Sequence, residues 1–377
     1  MGSLTPPRRF LFGPGPTQID PRVYEAMAKP VVGYLDPFFF QVNEEVRAGL
    51  QQVFGTKNDF TLAISGTGSA GMETAVTNFI EPGETLLVFS AGYFAERIAE
   101  MGRRHGATVV RAEKQWGEVF TEAEAREAIE RERPQVVAFV HAETSTGALQ
   151  SPQAISRPAH DAGALVIGDC VTSLGAAPIR VDESGIDMAF SCTQKGLSCP
   201  PGLAPFTVSP RAMERLQARK HPNRVWYFDL KLLSEYYGAQ HRYHHTAPVS
   251  SFYALREGLA TILDEGVEKR FERHARIHSE FVRRIEAMGL RMHVETPSHR
   301  IPNLNTVRVP EGVDDALVRR TLLADHGIEI AGGFGPLAGK IFRIGMMGPL
   351  ATQAGLDQFF GAFEKSLVAA SASAARM

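Results

Sequence analysis

Cysteine is scarce: only Cys170, Cys192 and Cys199 occur among 377 residues. An odd, small number set among apolar neighbours argues against a disulfide scaffold and fits reduced core thiols in a cytoplasmic protein. An excess of one charge is also lacking. Forty basic side chains face 42 acidic ones, leaving a formal net charge of -2. Such a surface does not draw polyanions broadly, so nucleic acid is not an expected partner. No apolar run is long enough to span a bilayer, so no membrane association is expected. The opening MGSLTPPRRF lacks the hydrophobic stretch of a secretory leader. The closing Ala375-Arg376-Met377 loosely resembles a peroxisomal address of the Ser-Lys-Leu kind, but a frayed alanine-rich tail is the favoured reading. Internal repeats and long low-complexity stretches are absent. What remains is a chain with 44% hydrophobic residues, enough for a sizeable core and long enough for two domains.

In the first half, short apolar runs alternate with helical patterns. Strands are predicted at Phe60–Ser65, Thr85–Ser90, Val136–His141, Leu165–Asp169 and Met188–Cys192. Helices are predicted near Ser69–Ile80 and Phe94–His105. This alternation implies an α/β fold with a mostly parallel sheet covered on both faces. After about residue 262 the texture changes. Ile277, Phe281, Ile285 and Met288 share one face of a long amphipathic helix whose other face is charged. Leu304–Val309, a helix near Asp314–Asp325, a strand near Lys340–Ile344 and a helix near Gln353–Leu367 complete a smaller α/β domain. The expected division is an arm over 1–14, a large domain over 15–262 and a small C-terminal domain over 263–377.

Three features at strand ends carry chemistry. Ser65-Gly66-Thr67-Gly68-Ser69-Ala70-Gly71 follows a strand and opens a helix, where backbone N–H groups and the helix dipole favour a phosphate. The same glycines match the dinucleotide fingerprint, but that reading needs an acid at the end of the next strand, which closes Phe89-Ser90-Ala91-Gly92 instead. A nicotinamide-dependent oxidoreductase is therefore a remote alternative. Asp169 ends Leu-Val-Ile-Gly-Asp; burying its carboxylate calls for a positive partner such as a pyridinium N–H, unless it merely caps the next helix. Lys195 follows another buried strand, where desolvation would make it a nucleophile for aldehydes. Phosphate, ring nitrogen and aldehyde are the three anchors that pyridoxal phosphate requires. Arg343 stands on the predicted strand Lys340–Ile344, and its planar fork suits a carboxylate, although a structural ion pair is an equal reading of that residue alone. His274 and His278, four apart, and the pair His244-His245 have metal-ligand spacing but no third ligand. No metal is expected; the first two are read as lying on a solvated helix, the second pair as belonging to a loop that crosses between subunits.

In this order the motifs resemble a known family: the class V branch of fold-type I, pyridoxal-phosphate-dependent aminotransferases, near the alanine–glyoxylate and serine–glyoxylate (serine–pyruvate) enzymes. The resemblance runs from about Phe10 to Leu367. It rests on Phe12-Gly13-Pro14-Gly15-Pro16, Ser65–Ser69, His141-Ala142-Glu143-Thr144-Ser145-Thr146-Gly147, Asp169–Gly175, Ser191–Pro201, Tyr243-His244-His245-Thr246 and Gly339–Gly345. Four positions depart from the family's usual pattern. Ser69 replaces a histidine, Phe94 a tryptophan, Thr144 a serine, and Tyr34 stands where relatives carry histidine or serine.

The resemblance implies a role for each residue. Lys195 holds the cofactor as a Schiff base and shuttles the proton. Thr67, Gly68, Ser69 and Gln194 bind its phosphate. Tyr243 and Thr246 reach the phosphate of a neighbouring subunit, which implies a homodimer with shared active sites. Phe94 stacks on the ring, Thr144 and Val171 line it, and Asp169 pairs with its nitrogen. Arg343 and the backbone near Gly15 take the substrate carboxylate, and Tyr34 borders the substrate. The implied reaction is ping-pong transfer of an amino group from alanine or serine to a 2-oxo acid, foremost glyoxylate. Cysteine desulfuration is disfavoured because no cysteine follows Cys199. A catalytically silent binding protein is disfavoured by the intact Lys195, Asp169 and Arg343.

Overall fold

The computed structural model describes residues 2–374, so the C-terminal Ala375-Arg376-Met377 signal lies outside the described residues. Strand β1 (Phe10–Leu11) opens the chain. Helices α1 (Pro21–Met27) and α2 (Pro37–Phe54) follow. Each has proline in its first turn and a capping aspartate, Asp20 or Asp36, whose side chain accepts a backbone N–H. Next come β2 (Phe60–Ser65), α3 (Gly68–Phe79), β3 (Thr85–Ser90), α4 (Tyr93–Arg104), β4 (Thr108–Glu113) and β5 (Val136–Val140). A short antiparallel hairpin, β6 (Ala142–Glu143) and β7 (Ala148–Leu149), is followed by β8 (Leu165–Asp169), β9 (Met188–Phe190) and β10 (Leu203–Val208).

Seven of these strands form one sheet in the order β2-β10-β9-β8-β5-β3-β4. All neighbours are parallel except β10, which runs antiparallel to both β2 and β9. Strands β5 and β8 are buried along their whole length, as expected of strands covered by helices on both faces. From β3 the chain adds β4 on one side and then crosses to β5 on the other. That reversal makes a crevice outside the carboxyl ends of the strands, the usual ligand position in open α/β sheets.

The remaining strands, β11 (Leu304–Arg308), β12 (Ile328–Glu329), β13 (Ala331–Gly332) and β14 (Ile341–Gly345), build the smaller unit. β14 pairs antiparallel with β11 and β13. β1 pairs in parallel with β12, and Phe12 packs on Phe359, so the start of the chain contributes to this second core. Helices Val267–Ala287, Asp315–His326 and Gln353–Ala374 cover it.

One expectation requires correction. His274 does not lie on a solvated face: it is fully buried, and its Nε2 accepts the Gly348 N–H at 3.2 Å. His278 is half-buried and bonded to Asn305 at 2.8 Å. His278 meets β11 and His274 the turn after β14, so the polar pair marks a packed face. His244 and His245, read as part of a loop that crosses between subunits, are buried side chains. His244 stacks on Trp226, and His245 bonds the Ser65 hydroxyl at 2.7 Å. The loop's outward-facing members are their neighbours Tyr243 and Thr246.

Candidate active site

Four strand ends converge on one cavity of about 280 Å³. Phe94 comes from the first turn of α4, which follows β3, Thr144 from the hairpin after β5, Lys195 from the loop after β9 and Arg343 from β14; Gly15 and Phe334 close the rim. Asp169 ends β8 beside this group, level with Val140 on one side and Phe190 on the other.

Lys195 is buried, and its Nζ donates to the hydroxyls of Thr144 and Thr172, each at 3.1 Å. Among the described residues no carboxylate forms an ion pair with it. Burial holds its ammonium below the ordinary lysine pKa, against the opposing pull of Asp169 and Glu143. The ammonium lies 5.5 Å from the centre of the Phe94 ring. On the other flank the stem packs against Gly15, where a Cβ would come within 3.1 Å of Lys195 Cγ. The Thr17 hydroxyl donates to the Lys195 carbonyl at 3.0 Å, pinning the loop.

Asp169 accepts the Val171 N–H at 2.9 Å and has no bonded cation. Burial pushes its carboxyl up to about 7, only partly offset by Lys195 and Arg97. The capping alternative thus describes one of its bonds, a local turn, and leaves the cost of burial uncompensated.

Helix α3 begins at Thr67 without a side-chain cap, so its first N–H groups face outwards as anion donors. Ser69 turns its hydroxyl to Arg97, which donates at 2.9 Å. Val171 packs against Gly68. The Gln194 Oε1 is buried with no partner among the described residues.

Arg343 is buried, with Nε donating to the Gly332 carbonyl at 2.7 Å and the guanidinium 4.0 Å from the Phe334 ring centre. Burial lowers its pKa to about 10, and among the described residues it has no carboxylate in ion-pairing distance. A buried guanidinium facing a cavity in this condition is a receptor for an anion.

Tyr34, Tyr243 and Thr246 are not among the cavity's lining residues. Tyr34 packs against Tyr243, ring centres 5.2 Å apart and planes tilted by 39°, and Tyr243 is 55% exposed. Sequence reasoning passed over Glu143, Arg97, Thr172 and Phe334. Glu143 stood inside a quoted motif and Thr172 three residues from Asp169. For Arg97 the signal was its place one turn after Phe94; Phe334 gave none. Among the described residues no group of three or more His, Cys, Asp or Glu side chains gathers as a metal site, and no helix is long and apolar enough to cross a membrane.

A buried lysine, an aspartate and an anion-favouring helix start, arranged on this sheet, define the scaffold of fold-type I transferases. The solved structures agree. An alanine–glyoxylate aminotransferase from Nostoc sp. superposes with a TM-score of 0.96 at 45% identity, covering 97% of each chain. A ureidoglycine–glyoxylate aminotransferase from Bacillus subtilis gives 0.95 at 40%, covering 98% of this chain and 95% of the other. An alanine–glyoxylate aminotransferase from Oryctolagus cuniculus is 37% identical, over 97% of this chain and 94% of its own. The class V aminotransferase family model matches residues 9–346. The chain belongs to the class V aminotransferases.

Proposed function

We propose that the protein is a pyridoxal-phosphate-dependent aminotransferase that moves the amino group of a small amino acid, alanine or serine, to glyoxylate. The observation that carries this reading is Lys195: buried, held by two hydroxyls, without a counter-ion among the described residues, and across one cavity from Arg343, which among them pairs with no carboxylate.

The residues fit the cofactor. The partnerless Gln194 Oε1 and the uncapped start of α3 at Thr67, Gly68 and Ser69 suit a phosphate group. Asp169 lacks a cation, and a protonated ring nitrogen would meet that need. Phe94, Thr144 and Val171 would hold the ring. When bound, pyridoxal phosphate supplies an electrophilic carbonyl and an electron sink. The chain's own residues do the rest. Arg343 grips the substrate carboxylate with its fork, assisted by the backbone at Gly15, and so fixes the direction of Cα. Burial lowers the Lys195 pKa and so favours the neutral amine, which would take the proton from the substrate Cα and release it to the carbon that carries the cofactor's carbonyl. The Thr144 and Thr172 hydroxyls aim that nitrogen. Phe334 over Arg343 keeps bulk water from the carboxylate.

Exposed Tyr24, Leu35, Phe38, Trp226, Tyr227 and Tyr243 lie in two segments and support a homodimer, with Tyr243 and Thr246 serving the partner's phosphate site and Tyr34 bordering a substrate. Three buried free thiols, Cys170, Cys192 and Cys199, support a reducing, cytoplasmic compartment. A second donor, (S)-ureidoglycine, is favoured by the 40% identity to the Bacillus subtilis transaminase.

Adding pyridoxal phosphate to the purified protein should produce a visible absorption band that Lys195→Ala abolishes. Alanine, serine or (S)-ureidoglycine, added without oxo acid, should each be tried for loss of that band, and glyoxylate should restore it. A band that no donor bleaches leaves the cofactor assignment standing and removes the substrate assignment. If no band forms, the role of Lys195 is wrong.

A further inference from the structure

One buried carboxylate has no part in the steps above. Glu143, at the end of β6, is fully enclosed yet pairs with no cation. Its Oε1 accepts from the Ser145 N–H at 3.0 Å and the Ser145 hydroxyl at 2.7 Å. Its Oε2 accepts the Phe94 N–H at 3.1 Å. Phe94 lies in the first turn of α4, where N–H groups lack intrahelical partners. The residue at the cap position, Gly92, has no side chain with which to satisfy them.

Gly92 also explains how the carboxylate reaches the helix. Its φ of 177° and ψ of 179° are extended backbone that any residue adopts. A Cβ there, however, would stand 2.5 Å from Glu143 Cδ and 2.8 Å from Oε2. The glycine is required by the neighbouring carboxylate rather than by the turn.

We infer that Glu143 is a positioning residue: it caps α4 from a different strand, through the gap left by Gly92, and so fixes the Phe94 ring against the Lys195 cavity. A carboxylate at a helix start is also favoured by the helix dipole. The same group lies within electrostatic reach of Lys195, Asp169 and Arg343, at the centre of the site's charges. The inference rests on the cofactor reading only in what Phe94 stacks upon; the cap itself does not depend on it.

The two residues predict a specific non-additivity, which four proteins test: wild type, Glu143→Ala, Gly92→Ala and the double variant. Three quantities are measured: thermal unfolding of the cofactor-free protein, and the affinity and visible circular dichroism of added pyridoxal phosphate. Each single variant should weaken cofactor binding about tenfold, the scale of losing one helix cap, and diminish the dichroism per bound cofactor. The double variant should be no worse than Glu143→Ala, because the methyl group then meets no carboxylate. Glu143→Ala combined with Gly92→Ser should recover binding, since serine caps locally. Wild-type behaviour of Gly92→Ala, or effects that simply add in the double variant, would overturn the inference. Should the wild type bind no pyridoxal phosphate, the cofactor reading fails while the melting temperatures of the same four proteins still decide the cap. If Glu143→Ala does not fold, Gly92→Ala alone still tests the inference: its methyl group meets Glu143 Cγ and, at 2.5 Å, Cδ, and wild-type melting and cofactor affinity would overturn it.

Discussion

Asp169 closes β8 with its carboxyl group enclosed and no cation bonded to it. Its pKa is raised by burial to about 7, whereas an unfolded aspartate titrates near about 4. Between these values the folded protein holds a proton that the unfolded chain has released. The stability this group contributes is therefore present below pH about 4 and lost as pH rises through 7. Melting temperatures of the cofactor-free protein and of Asp169→Asn should thus diverge with rising pH, the variant becoming the more stable; parallel curves would refute the buried neutral acid. Pyridoxal phosphate should reverse the order, since its ring nitrogen gives the wild-type carboxylate a charged partner. Arg343 predicts a different signature. Arg343→Gln removes the fork for a carboxylate, and KM for every amino donor should rise by about ten- to a hundredfold. Arg343→Lys should restore only part of this, because a point charge cannot grip both oxygens. Lys195, Asp169 and Arg343 were legible in the sequence because each stands within or shortly after an apolar strand where a charge needs a reason. Phe334 was not, because its meaning lies in the Arg343 guanidinium it covers, and Arg97 only by its spacing from Phe94, because the Ser69 hydroxyl it meets is 28 residues away.

The element that carries Lys195 is a loop, and a helix from the smaller unit holds it in place. Arg270, on helix Val267–Ala287, donates to the Gly175 carbonyl at 2.7 Å, to the Gly196 carbonyl at 2.9 Å and to Glu265 at 2.9 Å. Arg273, one turn on, shares Glu265 and donates to the carbonyls of Gly348 and Ala351. One pair of arginines thus ties the lysine loop to the start of the last helix. Arg270→Leu would strand two buried carbonyls and leave Glu265 with one partner. A loss of about 3–5 kcal/mol is expected, readable as a lowered denaturant midpoint. A change within experimental error would mean that the loop is held by Thr17 and local turns alone. The elements themselves were read well where apolar runs were long: β2, β3 and β8 match their predicted spans residue for residue. β4 was missed because it is an edge strand whose Arg111 and Glu113 face solvent. β10 was missed because a Pro-Pro-Gly turn precedes it and Pro205 sits inside it. The error over His274 has the same origin. A helix face that is polar in sequence reads as solvated unless the opposing element is known, and Gly348, which supplies its partner, is 74 residues away.

At the scale of the whole molecule, the half-buried Tyr34 and the exposed Tyr243 pack together away from the cavity that the same chain builds around Lys195. If the site is shared, a subunit carrying Lys195→Ala can still lend Tyr243 to its neighbour, and a subunit carrying Tyr243→Ala can still use its own Lys195. Neither variant alone should transaminate at the wild-type rate: the first lacks the base in both sites, the second the phosphate contact in both. Unfolding the two together and refolding the mixture yields about half mixed dimers by random pairing. Each mixed dimer then contains one site with both defects and one with neither. Activity should recover to about a quarter of the wild-type value per subunit, with the recovered sites showing wild-type affinity for pyridoxal phosphate. If Tyr243 instead serves its own subunit, every site in the mixed dimer carries one defect and no activity returns. The two arrangements differ only in which chain supplies the tyrosine, and the mixed dimer separates them because it places the intact lysine and the intact tyrosine in different chains.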